Sequence, residues 1–154
     1  MNPHMAHAIR LAIENVHAGR GGPFAAVIVK DNRIIATGTN LVTSANDPTA
    51  HAEIVAIRVA CAALHSFQLD SCDLYTTCEP CPMCLGAIYW ARPRRVYFGG
   101  LAADAAAAGF DDAFIYRQAA LPPGARKIPF IPLMRDQALA AFEEWKSKSD
   151  RINY

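Results

Sequence analysis

The sequence predicts a single α/β domain whose mixed sheet is covered by helices on both faces. Three observations carry that prediction. A chain of 154 residues that is 53% hydrophobic is long enough to bury one substantial core, and nothing in its length asks for two. "FAAVIVK" and "RIIATGTN" are β-rich runs joined through "DN", whose residues tolerate left-handed backbone angles, so they read as a hairpin. Beyond the hairpin, helix and strand patterns alternate, which favours right-handed crossovers and a sheet covered on both sides.

The elements follow in order. "PHMAHAIRLAIENVHAG" is a helix with Met5, Ile9, Ala12, Ile13 and Val16 at helical spacing and a glycine cap at Gly19. "GRGGP" is a connector, and "LVTSANDPT" after the hairpin is a polar loop. A second helix begins near Ala50, with Ile54, Val55, Ile57, Val59 and Leu64 at the spacings of a buried face. "CDLYTT" is a strand, the apolar tail of "CEPCPMCLGAIYWA" a further helix, and "RRVYFG" a further strand. "GLAADAAAAGFDDAFIYRQAALPPGARKIPFIPL" is rich in Pro, Gly and Ala and reads as mostly loop, with room for one short helix. "RDQALAAFEEWKSKSD" is a C-terminal helix with Leu139, Phe142 and Trp145 on one face.

Bulk properties exclude some roles. Lys and Arg number 15 against 14 Asp and Glu, and a net charge of +1 makes no field that would gather a polyanion. The N-terminal helix is interrupted at His7, Arg10 and Glu14, so it is neither a signal peptide nor a membrane span. A cytoplasmic location is expected. Five cysteines include a CxxC, which in a reducing compartment is more often a metal or redox site than part of a disulfide frame.

Cys81 and Cys84 are that pair. Helical residues three apart point the same way, so two thiolates can bind one ion together. Pro80 and Pro82 suit a first helical turn, which puts the thiolates at the positive end of a helix. A catalytic zinc needs three protein ligands and an open position for water, and His51, at the entrance of the preceding helix, is the third candidate. Glu53, two residues on, can reach the open position without being a ligand, where a general base takes a proton from water. His-x-Glu followed by Pro-Cys-x-x-Cys is the signature of zinc deaminases that act on nucleobases. Cys78, three residues before Cys81, is a possible ligand on spacing alone, but the signature counts from Pro80, and Cys78 is expected to end the preceding strand. Cys61 and Cys72 read as small buried hydrophobes.

"PTAHAE", "CEPCPMCLGAIYWARP", "AGFDDAFIY" and Tyr154 resemble the bacterial guanine deaminases of the cytidine deaminase superfamily, nearly along the whole length. The resemblance implies a three-layer α/β/α cytidine-deaminase-like fold, one zinc per subunit, and a homodimer whose C-terminal segments are domain-swapped. Residues 135–154 would form an active-site lid. It implies hydrolysis of guanine to xanthine and ammonia, by attack of a zinc-activated water at C2 while Glu53 carries the proton to N3. It carries over Asn40 as a substrate amide, Asp112 as a polar group near the leaving ammonia or the base edge, and Phe24, Trp90 and Tyr154 as aromatic positions. Ala50 and Ala52 would leave room for a flat base.

Bland roles remain open for several of these. Asn40 can cap a turn, Phe24 and Trp90 can be core, and Asp112 can cap a helix. Glu79 is a second proton carrier, a backbone contact to substrate, or a helix-start charge. Glu143 faces the base only if the C-terminal segment closes the site, and is otherwise solvated surface. Two other functions compete. "TAHAE" and "CPMC" also fit tRNA adenosine deaminases, but those need a basic groove, and "RRVYF", "RQ", "ARK" and "KSK" are scattered among acids. A thiol–disulfide protein would use "CPMC" and leave His51 and Glu53 without a purpose.

Overall fold

Asp31 and Asn32 both take left-handed backbone angles, with φ of 48° and 62°, the conformation that a two-residue hairpin turn requires. In the computed structural model, which describes residues 1–154, this turn joins β1 (Ala25–Lys30) to β2 (Arg33–Thr39). β3 (Cys72–Cys78) pairs antiparallel with the other edge of β1, and β4 (Arg95–Gly100) lies parallel to β3. The strand order is β2-β1-β3-β4, a mixed sheet.

Alternation along β1 divides the core into two layers. Ala26 and Ile28 join Leu74 of β3 and the residues of α3 (Ala52–Leu64) and α4 (Pro82–Ala91) on one face. Val27 and Val29 join Tyr75 and Ala8 of α1 (Pro3–His17) on the other. The three-layer α/β/α arrangement is therefore present, and β1, buried on both faces, is its centre. Each fully buried side chain such as Ile28 or Leu74 contributes about 1.5–3 kcal/mol.

α1 and α3 turn inward only part of the face that apolar spacing suggests: Met5 and Ala12, and Ile57 and Leu64, pack on the core, but alanines form its centre. In α1 the buried residues are Ala8, Ala12 and Asn15, whereas Ile9, Ile13 and Val16 are 47%, 52% and 47% exposed. In α3 they are Ala52, Glu53, Ala56 and Ala60, and Val59 is exposed. Close approach decides this, because small side chains bring a helix nearer the sheet than branched ones do. At Gly38 of β2 an added Cβ would lie 2.2 Å from the Ala52 carbonyl oxygen and 2.5 Å from the Ala56 nitrogen.

α1 ends as expected, with Gly19 in the left-handed region at φ 64°. The "LVTSANDPT" loop holds one short helix, α2 (Val42–Ala45). The later segment read as mostly loop is more helical than its Pro and Gly content suggests, with α5 (Ala102–Ala107), α6 (Ala113–Ala119) and a 3₁₀ turn at Pro123–Ala125. The alanines explain the difference, since Ala is the strongest helix former. α7 (Arg135–Ser147) is the expected C-terminal helix.

The chain divides into two compact units, Met1–Asp112 and Ala113–Tyr154, where composition alone leads to one domain. The second unit thus takes in α6 and the Pro-rich segment as well as residues 135–154. No helix is long and apolar enough to cross a membrane.

Gly38→Ala tests the close approach of α3. Overpacking at that contact is expected to lower stability by on the order of 1–3 kcal/mol, read from the urea midpoint, and an unchanged midpoint would show that the helix has room to move away.

Candidate metal centre and active site

His51 is the N-cap of α3 and Cys81 the N-cap of α4, and neither side chain makes a capping hydrogen bond. Each is therefore free to point elsewhere, and they point at one another. Pro82 supplies the first helical residue of α4, while Pro80 lies before the cap. Cys84, one turn into α4, is fully buried and completes the group.

The ligand atoms of His51, Cys81 and Cys84 all lie within 4.8 Å of one another. Zinc–sulfur bonds of about 2.3 Å and zinc–nitrogen bonds of about 2.0 Å at a tetrahedral angle place sulfur and nitrogen roughly 3.5 Å apart. His51 Nδ1 is 3.5 Å from Cys81 Sγ and 3.6 Å from Cys84 Sγ. The donor set and its spacing fit a three-ligand zinc site, with Nδ1 as the imidazole ligand.

Proton sharing within the cluster points the same way. A hydrogen bond from Cys84, together with His51, holds the Cys81 thiol down to about 4. Its bond to Cys81, then burial and the Glu53 charge, push Cys84 up. The hydrogen bond with Cys81 raises His51, against its burial. A cation that takes both sulfurs releases the shared proton, as metal binding to thiols does.

Glu53 is 6% exposed and stands against the ligands without joining them. Its Oε1 accepts a hydrogen bond from Thr76 Oγ1 at 2.8 Å, and its Oε2 accepts one from Cys84 Sγ at 3.4 Å. Cys78 ends β3 and its thiol is directed to the Leu101 carbonyl, outside the ligand group. Cys72 is fully buried and Cys61 packs against the same core.

Asn40, almost fully buried, accepts the Gly22 and Val42 amides on Oδ1, each at 3.3 Å. That orients its amide and leaves Nδ2 as the donor to offer. Asp112 is partly buried, and its carboxyl is raised first by burial and then by the Cys81 thiolate and neighbouring acids. Phe24 packs against the core and meets Phe110 edge-on, with ring centroids 4.9 Å apart.

The remaining candidate positions are placed as follows. Ala52 is fully buried in the core, where its carbonyl lies close against Gly38 of the sheet. Ala50 is also buried. Trp90 lies in the last turn of α4, 63% exposed, at the opposite end of that helix from Cys81. Glu79 is exposed and its Oε2 accepts the Ala102 amide at 3.0 Å, which holds the start of α5. Glu143 and Tyr154 belong to the second unit, where Glu143 pairs with Lys146 at 2.8 Å and Tyr154 is 69% exposed.

Sequence reasoning missed Thr76 and Asn15. Asn15 is fully buried; its Nδ2 donates to the carbonyls of Gly22 and Asn40 at 3.1 and 2.8 Å, and its Oδ1 accepts from Arg20. The available signal was an amide on the Ala8–Ala12 stripe just before a glycine-rich loop. That loop is packed tightly on Asn40, since a Cβ at Gly21 would lie 2.2 Å from the Asn40 carbonyl oxygen.

Comparison with known proteins agrees with this geometry. A model of the cytidine and deoxycytidylate deaminase zinc-binding region matches residues 2–100. The chain belongs to this deaminase family. The deaminase is 55% identical over 150 residues to the guanine deaminase of Bacillus subtilis (strain 168), covering 97% of this chain and 96% of that protein. A crystal structure of Bacillus subtilis guanine deaminase matches with a TM-score of 0.96 at 54% identity, over 100% of this chain and 99% of that one. A solved guanine deaminase from Nitrosomonas europaea matches with a TM-score of 0.67 at 32% identity, over 96% and 86% of the two chains. The tRNA-specific adenosine deaminase of Agrobacterium fabrum (strain C58 / ATCC 33970) is 53% identical, but only over 77 residues, 50% of this chain and 51% of that one.

Metal content separates the roles of the four central residues. The purified deaminase is expected to hold about one zinc, His51→Ala and Cys84→Ser to lose most of it, and Glu53→Gln to keep it. Loss of zinc from Glu53→Gln would make Glu53 a ligand.

Proposed function

We propose that this chain deaminates guanine hydrolytically to xanthine and ammonia. The observation that carries the reading is Glu53, buried beside the His51–Cys81–Cys84 group with one oxygen facing it. The near-full-length similarity to a guanine deaminase supplies the substrate.

His51, Cys81 and Cys84 would hold a zinc ion, which would supply Lewis-acid activation of water for attack on the ring carbon. Glu53 accepts a proton as the new C2–O bond forms and delivers it to N3. It then takes the proton of the new C2 hydroxyl and passes it to the exocyclic nitrogen, whose bond to C2 breaks as the C2 carbonyl forms and ammonia leaves. Positioned proton transfer of this kind contributes on the order of 10² to 10⁴ in rate. Asn40 Nδ2 donates to an acceptor on the base, O6 or N7, and the Asp112 carboxylate accepts from its N–H groups or the departing ammonia. Phe24 offers an aromatic surface at the same end of the sheet, and stacking on a base is worth roughly 1–3 kcal/mol.

The reading extends to a homodimer that exchanges C-terminal segments, with Glu143 and Tyr154 closing the site and Glu79 a lesser candidate proton carrier. Its support is the apolar exposure in the second unit, where Ile131 and Leu133 are 80% and 83% exposed, since an uncovered apolar surface of this kind favours a partner.

Ammonia release from guanine, guanosine, adenine, cytosine, cytidine and an adenosine-containing tRNA loop tests the substrate. Guanine is expected to give the highest kcat/KM; a preference for the tRNA loop or for cytidine would overturn the assignment. Glu53→Gln should lose most turnover. A chain lacking residues 152–154 should keep zinc and fold but lose activity. Co-refolding those two inactive variants should restore part of the activity if the tail closes the partner's site, and none if it closes its own.

A further inference from the structure

The geometry points to Thr76 as a positioning residue for deamination, its hydroxyl anchoring Oε1 of Glu53 so that Oε2 is the oxygen presented to the metal ligands. The inference rests on the reading of Glu53 as the proton carrier. Thr76 is 1% exposed in β3, between β1 and β4 at the centre of the sheet, where its backbone is paired with Ala26 and Phe98. Strand alternation turns it to the same face as Leu74, towards α3. Packing at such a place is served as well by valine, so a buried hydroxyl calls for a polar partner. That partner is Glu53 Oε1, at 2.8 Å.

The anchor is stiff at both levels. Two neighbouring strands hold the backbone of Thr76, and a β-branched side chain has little χ1 freedom. The Thr76 hydroxyl holds Oε1, and the other oxygen, Oε2, lies on the side of the ligand group, 3.4 Å from Cys84 Sγ. Without the hydroxyl, the carboxylate can rotate and its two oxygens become equivalent.

The test uses zinc-loaded full-length Thr76→Val and Thr76→Ser with guanine. Thr76→Val is expected to lower kcat by ~10–100-fold, with KM and zinc content within about twofold of wild type, and Thr76→Ser to recover most of the loss. Wild-type kcat in Thr76→Val would overturn the inference, as would a loss of zinc or a rise in KM that matches the fall in kcat. Crystal structures of zinc-loaded wild type and Thr76→Val read the same question without turnover: a rotated Glu53 carboxylate supports the anchor, and an unmoved one overturns it. If wild type released no ammonia from guanine, the proposed function would fail, and the Glu53 conformation would still decide the role of Thr76.

Discussion

The chemistry of this deaminase depends on how closely the first turn of α3 lies on β2. Gly38 has no side chain, Ala52 and Ala56 have small ones, and backbone meets backbone where any Cβ would collide. That contact fixes the height of His51 and Glu53 above the sheet. The other half of the site is fixed by β3, because only Glu79 and Pro80 separate the end of that strand at Cys78 from the N-cap Cys81. Two helix entrances are thereby brought over one end of the sheet, and both carry partial positive charge where sulfur anions gather.

Electrostatics then makes a cation the natural last component. Glu53 and the two sulfurs are largely shielded from water, and burying like charges together is costly unless protons or a metal compensate. Among the protein groups alone, the compensation is the proton of Cys84, placed between Cys81 and Glu53, and the imidazole of His51. A divalent ion would satisfy both sulfurs and the imidazole together. Cys84 and Glu53 are coupled through one sulfur atom.

What could be read from the sequence was what is local in it. His51, Glu53, Cys81 and Cys84 are recognisable because helix geometry converts short spacings directly into convergence, and the hairpin because Asp-Asn supplies its own turn angles. Helix faces were read only in part for the opposite reason: Met5, Ala12, Ile57 and Leu64 do pack on the core, but which side of α1 or α3 lies deepest depends on how near the sheet can come, so alanines took the places of Ile9, Ile13, Val16 and Val59. Asn15 and Thr76 were invisible because their partners lie in other elements, at Gly22 and Asn40 for one and at Glu53 for the other.

The division of the chain also bears on how the site can work. His51, Cys81, Cys84, Glu53, Thr76, Asn15 and Asn40 lie within Met1–Asp112, on or beside elements tied together by strand pairing and buried hydrogen bonds. A constellation that must hold proton carrier and electrophile to a fraction of an ångström is best placed on such elements. Asn40 shows the same economy on the substrate side: its Oδ1 is occupied by two backbone amides, its carbonyl by Asn15, and only a donor is left to face a ligand. The hydrogen bonds that fix Glu53, His51 and Asn40 are made within the first unit itself, each element bracing the next.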